Sequence, residues 1–216
     1  VEEGKPQTFV EPDWVYRVQL PTNEAPQRLL LIIHGWTGDE NSMWLFTQGL
    51  PSTTAILAPR GFVDAPSGYG WAGADTGFPT PFSALQSSVE KLLKQVDRWT
   101  TRFPSLANQA LDLMGFSQGC AMTYAIMATN PQRVRRAACM AGYLPAGAER
   151  YFTNDTLVGK TVLISHGTLD ETISIEYARE ARRVISAAGA EIDYCEEEVG
   201  HKMGAACFRK LKTFFV

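Results

Sequence analysis

Short aliphatic runs alternate with longer stretches of helical spacing along the whole of this chain. Residues 15–20, 29–33, 55–58, 110–114, 137–141, 161–165 and 192–196 carry the aliphatic and β-branched side chains that suit strands. Residues 83–103, 118–129, 173–188 and 202–215 read as helices, with a short one near 41–46. Inner runs such as LLLII and TVLIS are apolar without interruption, as expected of parallel strands covered by helices on both faces. The pattern predicts an α/β fold with an open, mostly parallel sheet. No Pro-, Gly- or Ser-rich linker and no internal repeat divides residues 1–216, which predicts a single domain.

In such sheets functional groups gather beyond the carboxyl ends of the strands. One strand end stands out there, Gly115-Phe116-Ser117-Gln118-Gly119, preceded by the apolar run and followed by an Ala-, Met- and Ile-rich helix that stops at Asn130-Pro131. A GxSxG sequence in this setting makes a sharp strand-to-helix turn that lifts the serine hydroxyl clear of the sheet, and a side chain at either glycine would collide with neighbouring backbone.

A serine hydroxyl is a poor nucleophile and needs a base, which in turn needs a carboxylate to orient it. Of the three histidines, His34 and His166 sit at strand ends just before glycine and read as structural hydrogen-bonding groups. His201 follows the last predicted strand and is the only one that completes the order Ser, Asp, His. Asp170, beyond the TVLIS run, is the leading carboxylate. Its rivals are Glu171 one residue on, Asp155 in a polar segment, and the acidic run 196–198, which reads as a solvated strand end. An oxyanion needs backbone N–H donors. Gln118, at the start of its helix, offers one, and Trp36, in the loop after LLLII, offers the other, with Thr37 as alternate; Gly35 and Gly38 allow that loop to turn closely. Apolar residues expected around a substrate on this rim are Trp36, Met43, Trp44, Trp71, Phe78, Phe82, Phe116, Leu144 and Met203. No lid-forming hairpin is visible between residues 137 and 161, so the site is expected to be open, apolar and shallow, suited to small or medium acyl esters.

Composition narrows the partners. With 20 basic and 23 acidic residues interspersed and a net charge of −3, the chain has neither the basic stripe of a nucleic-acid binder nor a polybasic membrane patch. Arg133, Arg135 and Arg136 read as a solvated helix-to-strand connection. No apolar run approaches the roughly 20 residues that cross a bilayer, and the N-terminal stretch VEEGKPQTFVEPDW is polar rather than signal-like. Four cysteines, Cys120, Cys139, Cys195 and Cys207, form no CxxC pair and read as buried thiols of a reducing compartment, hence a cytoplasmic location. Solvent-facing aromatics would suit a homodimer. The match of Gly68 to Gly73 to GxGxxG lacks both the preceding strand and the following helix that nucleotide binding needs, and Cys195, His201 and Cys207 fit no closed zinc pattern.

The segments LLLIIHGWTGDENSMW, APRGF leading into GYGWA, GFSQG, AGYLP, SHGTLDETI and VGHKMG together resemble the α/β-hydrolase superfamily over nearly the whole chain. The resemblance is to its small carboxylesterase/phospholipase group, which includes acyl-protein thioesterases. It implies an α/β-hydrolase fold without a large lid domain, a Ser117, Asp170, His201 triad and oxyanion donors from Trp36 and Gln118. It also implies hydrolysis of carboxylic or thioester bonds with no metal or organic cofactor. Thioesterases of the group often have a small-residue, Leu-rich loop after the HG turn; the bulky Trp36 counts against long-chain protein substrates. The alternatives are a lysophospholipase or acyl-protein thioesterase and, from a different class, a non-catalytic binding protein on the same fold.

Overall fold

A computed structural model describes residues 3–22, 24–106 and 109–216; Val1 and Glu2, which open the polar N-terminal stretch, lie outside the described residues. In chain order the elements are β1 (Gln7–Glu11), β2 (Trp14–Gln19), β3 (Arg28–Ile33), β4 (Thr54–Pro59), β5 (Val63–Ala65), β6 (Gly68–Gly70), α1 (Phe82–Thr100), β7 (Leu111–Phe116), α2 (Gln118–Thr129), β8 (Val134–Met140), β9 (Thr161–Gly167), α3 (Ile175–Ala187), β10 (Glu191–Glu197) and α4 (Ala205–Phe214). Eight strands form one sheet in the order β1-β2-β4-β3-β7-β8-β9-β10. β1 and β2, and β2 and β4, pair antiparallel; every other pair is parallel.

The uninterrupted apolar runs have a simple cause. Along β3, Leu29, Leu31 and Ile33 enter a core shared with α1, α2 and α3, while Leu30 and Ile32 enter a second core with Leu211, Phe214 and Phe215 at the α4 end of the chain. Side chains alternate between two covered faces, so no position is left polar. α1 buries Leu85, Val89, Leu92, Val96 and Trp99 along one stripe, at helical spacing. α2 is buried on all sides from Gln118 to Ala128, because α1 packs over it against the sheet.

Two helices start later than their apolar spacing suggests, and side-chain caps explain both. The Asp170 carboxylate takes the N–H groups of Thr172 and Ile173, so α3 begins only at Ile175, with Ser174 as its N-cap. The Glu197 carboxylate takes the N–H groups of Ala206 and Cys207 and caps α4 from the neighbouring strand. β1, β5 and β6 have no counterpart among the expected strands. β1 is an edge strand whose side chains alternate between half-buried and exposed, and β5 and β6, three residues each, pair antiparallel in a hairpin outside the main sheet.

The cysteine reading needs correction. Cys195 in β10 and Cys207 in α4 form a disulfide, and only Cys120 and Cys139 are free, buried thiols. Apolar context marks burial but not pairing, and here a strand edge and a helix start bring together residues 12 apart in sequence. The arginine cluster is likewise not merely solvated. Arg133 pairs with Asp97, Arg135 pairs with the buried Asp112, and Arg136 donates to the carbonyls of Phe214 and Val216. Burial pushes the Asp112 carboxyl up, and Arg135 offsets this only in part. Among the described residues, no helix is long and apolar enough to cross a membrane.

Candidate active site

Ser117 stands between β7 and α2 with φ 55° and ψ −118°, a conformation a non-glycine residue holds only where its surroundings enforce it. The enforcing contacts are backbone. A Cβ on Gly115 would lie 2.2 Å from the Gly119 carbonyl oxygen, and one on Gly119 would lie 2.0 Å from that of Ile33. With hydrogen at both positions, α2 starts hard against the end of β3, and the serine projects from the tight turn between.

The other two groups arrive from neighbouring strand ends. His201, in the loop between β10 and α4, places Nε2 3.1 Å from Ser117 Oγ and Nδ1 2.8 Å from Asp170 Oδ2. An ionised carboxylate only accepts, so Nδ1 carries the ring proton and Nε2 is free to accept from the serine hydroxyl. Asp170, beyond β9, accepts the N–H groups of Thr172 and Ile173 on Oδ1, each at 2.9 Å. Burial pushes its carboxyl up, but the Ile173 N–H, His201 and the Thr172 N–H outweigh this and hold it below its ordinary value. Glu171, the rival one residue on, is exposed.

The remaining histidines are buried. His34 Nδ1 donates to the Gly35 carbonyl at 2.7 Å and Nε2 accepts the Gly61 N–H at 2.9 Å. His166 Nε2 donates to the Ile173 carbonyl at 2.8 Å and lies 3.2 Å from Asp170 Oδ2; its Nδ1 is buried without a hydrogen-bond partner, so a second ring proton would be stranded. Burial pushes both histidines below their usual value. A histidine that is neutral in the fold but protonates in the unfolded chain makes the unfolded state bind more protons. Stability is therefore whole above the unfolded value of about 6.5 and falls below it. Urea midpoints are expected to drop steadily from pH 7 to pH 5, each histidine contributing at most about 1.4 kcal/mol per pH unit. A midpoint that stays constant over that range would contradict the buried, neutral assignment.

The loop after β3 lies against the serine. Gly35 faces Ser117 Cβ and the Phe116 carbonyl, and the Trp36 ring lies so close to Gly70 that a Cβ there would meet it at 2.2 Å. Glu40 and Arg60 anchor this loop to the end of β4 through two hydrogen bonds of 2.7 and 2.8 Å. Gln118 opens α2, so its N–H belongs to the first turn, which has no partner within the helix. Its side chain accepts the Trp71 N–H and donates to the Ala72 carbonyl, tying the loop after β6 to the helix start.

Two cavities meet at Ser117. The larger, about 700 Å³, is lined by His201 and by Gly35, Trp36, Met43, Leu45, Phe46, Phe116, Met203 and Phe208 among others. The smaller, about 340 Å³, is lined by Gln118, Gly73, Ala74, Phe78, Thr80, Tyr143, Thr172 and Ile173 among others. Trp36 and Ser117 border both. Of the apolar residues expected around a substrate, Trp36, Met43, Phe116 and Met203 line the larger cavity and Phe78 the smaller. Trp71 and Phe82 are enclosed in the core, which corrects their assignment to a substrate pocket; the Trp71 indole N–H donates to the His34 carbonyl. Trp44 and Leu144 line neither cavity. Trp44 donates to the Glu40 carbonyl beneath the Arg17 guanidinium, and Leu144 packs on the core. Sequence reasoning missed Phe46 and Phe208, whose rings pack edge to face 6.1 Å apart. Phe208, in the first turn of α4 and seven residues past His201, was the available signal, though an aromatic on an amphipathic helix reads equally as core.

Compared with known families, residues 16–216 match the phospholipase/carboxylesterase family. The chain belongs to that family. This phospholipase/carboxylesterase is a carboxylic ester hydrolase. Compared by sequence with curated proteins, it matches none. Among solved structures it is similar to a carboxylesterase from Mesorhizobium loti, with 20% identity, 96% of each chain covered and a TM-score of 0.79. It is also similar to the Bacillus cereus carboxylesterase, with 18% identity, 94% of each chain covered and a TM-score of 0.81. Arabidopsis thaliana SOBER1 aligns at 17% identity over 87% of this chain and 97% of its own, with a TM-score of 0.72. At these identities the structures speak for the fold, which is that of the α/β-hydrolases with a mostly parallel sheet.

Proposed function

We propose that this phospholipase/carboxylesterase hydrolyses small to medium acyl esters through an acyl-enzyme on Ser117. The observation that carries the reading is the continuous chain of hydrogen bonds from Ser117 Oγ to His201 Nε2 and from His201 Nδ1 to Asp170 Oδ2, at 3.1 and 2.8 Å. His201 takes the hydroxyl proton as Ser117 attacks the carbonyl carbon, and Asp170 stabilises the imidazolium that results. The backbone N–H groups of Trp36 and Gln118 receive the oxyanion; one such donor is typically worth about 10²–10³ in turnover. His201 then protonates the departing alkoxide. Water enters and gives a proton to His201 as its oxygen bonds to the acyl carbon; His201 returns that proton to Ser117 Oγ as the acyl–serine bond breaks and the acid leaves.

The test is a set of initial rates on p-nitrophenyl esters of increasing acyl length, together with labelling by a fluorophosphonate. A clear length optimum, a burst of p-nitrophenol equal to the enzyme present, and a stoichiometric adduct on Ser117 that abolishes turnover are expected. Turnover that survives complete labelling of Ser117 would overturn the reading. The Cys195–Cys207 bond favours an oxidising compartment over the cytoplasm, because disulfides persist where thiols are not kept reduced.

A further inference from the structure

We infer that the larger apolar cavity receives the alcohol portion of the ester rather than its acyl group, so that the enzyme favours short acyl groups on bulky, apolar alcohols. This rests on the Ser117, His201, Asp170 reading and adds the direction in which substrate lies. In the tetrahedral intermediate the former carbonyl carbon carries four groups: Ser117 Oγ, the oxyanion, the acyl chain and the alkoxy oxygen. The oxyanion faces the Trp36 and Gln118 amides. The alkoxy oxygen must come within hydrogen-bond reach of His201 Nε2, since that nitrogen protonates it as the bond to carbon breaks. The alcohol therefore extends on the His201 side, and the acyl chain is directed away from it.

The two cavities separate on this criterion. His201 lines the larger and is absent from the lining of the smaller, whereas Gln118 lines the smaller only. Leu45, Phe46, Met203 and Phe208 give the His201 side apolar walls. The smaller cavity carries hydroxyls, with Thr80 Oγ1 and Tyr143 OH 2.7 Å apart and buried. An acyl group there is limited by half the volume and meets polar atoms.

A second activity follows. Water that resolves the acyl-enzyme must approach from the side the alcohol has left, so an apolar alcohol bound there competes with it. His201 takes the hydroxyl proton of that alcohol as its oxygen attacks the acyl carbon, and returns the proton to Ser117 Oγ as the acyl–serine bond breaks. The product is a new ester, and the enzyme is restored.

Two substrate series test the assignment: acetate esters with ethyl, benzyl and 2-naphthylmethyl alcohols, and p-nitrophenyl esters with acyl groups from acetyl to decanoyl. Ala205 and Ala74 are exposed small residues on the rims of the larger and smaller cavities, respectively. The wild type should prefer 2-naphthylmethyl to ethyl acetate, and Ala205→Trp should remove about tenfold or more of that preference in kcat/KM while leaving the acyl-length profile in place. Ala74→Trp should shorten the acyl optimum and leave the alcohol series unchanged. Phe208→Ala, which enlarges the groove, should raise kcat/KM for the largest alcohol and serves where Ala205→Trp fails to fold. Benzyl alcohol added to the acyl-enzyme should yield more ester than ethanol at equal concentration. An Ala205→Trp enzyme with a shortened acyl optimum and an intact alcohol preference would reverse the assignment; indifference of both series to both variants would remove it. Failure of the triad reading itself would show separately, as turnover retained by Ser117→Ala.

Discussion

Ser117→Ala is expected to lower kcat on p-nitrophenyl esters by about 10⁴-fold or more while leaving the fold intact. The loss is chemical rather than conformational. Alanine keeps the Cβ and hence the same strain at φ 55°, and the flanking backbone bonds, Ser117 N–H to the Met140 carbonyl at 3.0 Å and Cys120 N–H to the Ser117 carbonyl at 3.0 Å, do not involve the hydroxyl. What disappears is the hydroxyl oxygen 3.1 Å from His201 Nε2, the atom proposed to carry the acyl group. Residual turnover would come from water held by His201. Burst amplitude and kcat, measured beside an unchanged urea midpoint, check the claim; a loss below about tenfold would move the nucleophile elsewhere.

Gly119→Ala is expected to be the most damaging single methyl group in the chain. Its Cβ would lie 2.0 Å from the Ile33 carbonyl oxygen and 2.5 Å from that of His34. Both are backbone atoms at the end of the central strand, so no rotamer change relieves the contact. α2 would have to lift from β3, and every residue of α2 from Gln118 to Ala128 is buried. Overpacking a core usually costs about 1–3 kcal/mol; a backbone collision under a fully buried helix should exceed about 4 kcal/mol, in the range that unfolds many domains. Urea unfolding, or failure to recover soluble protein, reads the outcome. Gly200→Ala is the control, because its Cβ would meet nothing closer than the Leu169 carbonyl at 3.8 Å. A Gly119→Ala protein as stable as the control would mean that α2 does not start against the carbonyls at the end of β3.

These glycines show what could be read from sequence and why. The GxSxG turn and the order Ser, Asp, His are local patterns beyond strands whose apolar runs are unbroken, so the chain alone places Ser117, Asp170 and His201 at neighbouring strand ends. β3 was legible because both of its faces are covered. β1 was not, since an edge strand with Val10 79% exposed has no apolar alternation to betray it. The cavity walls were only half legible. Trp36 and Trp71 are the same letter near the same site, yet one borders both cavities and the other has no exposed surface. The difference lies in a hydrogen bond from the Trp71 indole to the His34 carbonyl, 37 residues away. Cys195 and Cys207 were hidden for a similar reason, because the loop that returns the chain from β10 to α4 decides their meeting.

That loop has an effect of its own. His201 lies in the segment between the two bonded cysteines, and the segment is joined to the fold at both ends, by β10 on one side and α4 on the other. A protease that cuts there would not release α4, since the sulfur bridge would still hold the two fragments as one particle. Gel electrophoresis without reductant would show an intact chain, and the same sample with reductant would show two pieces.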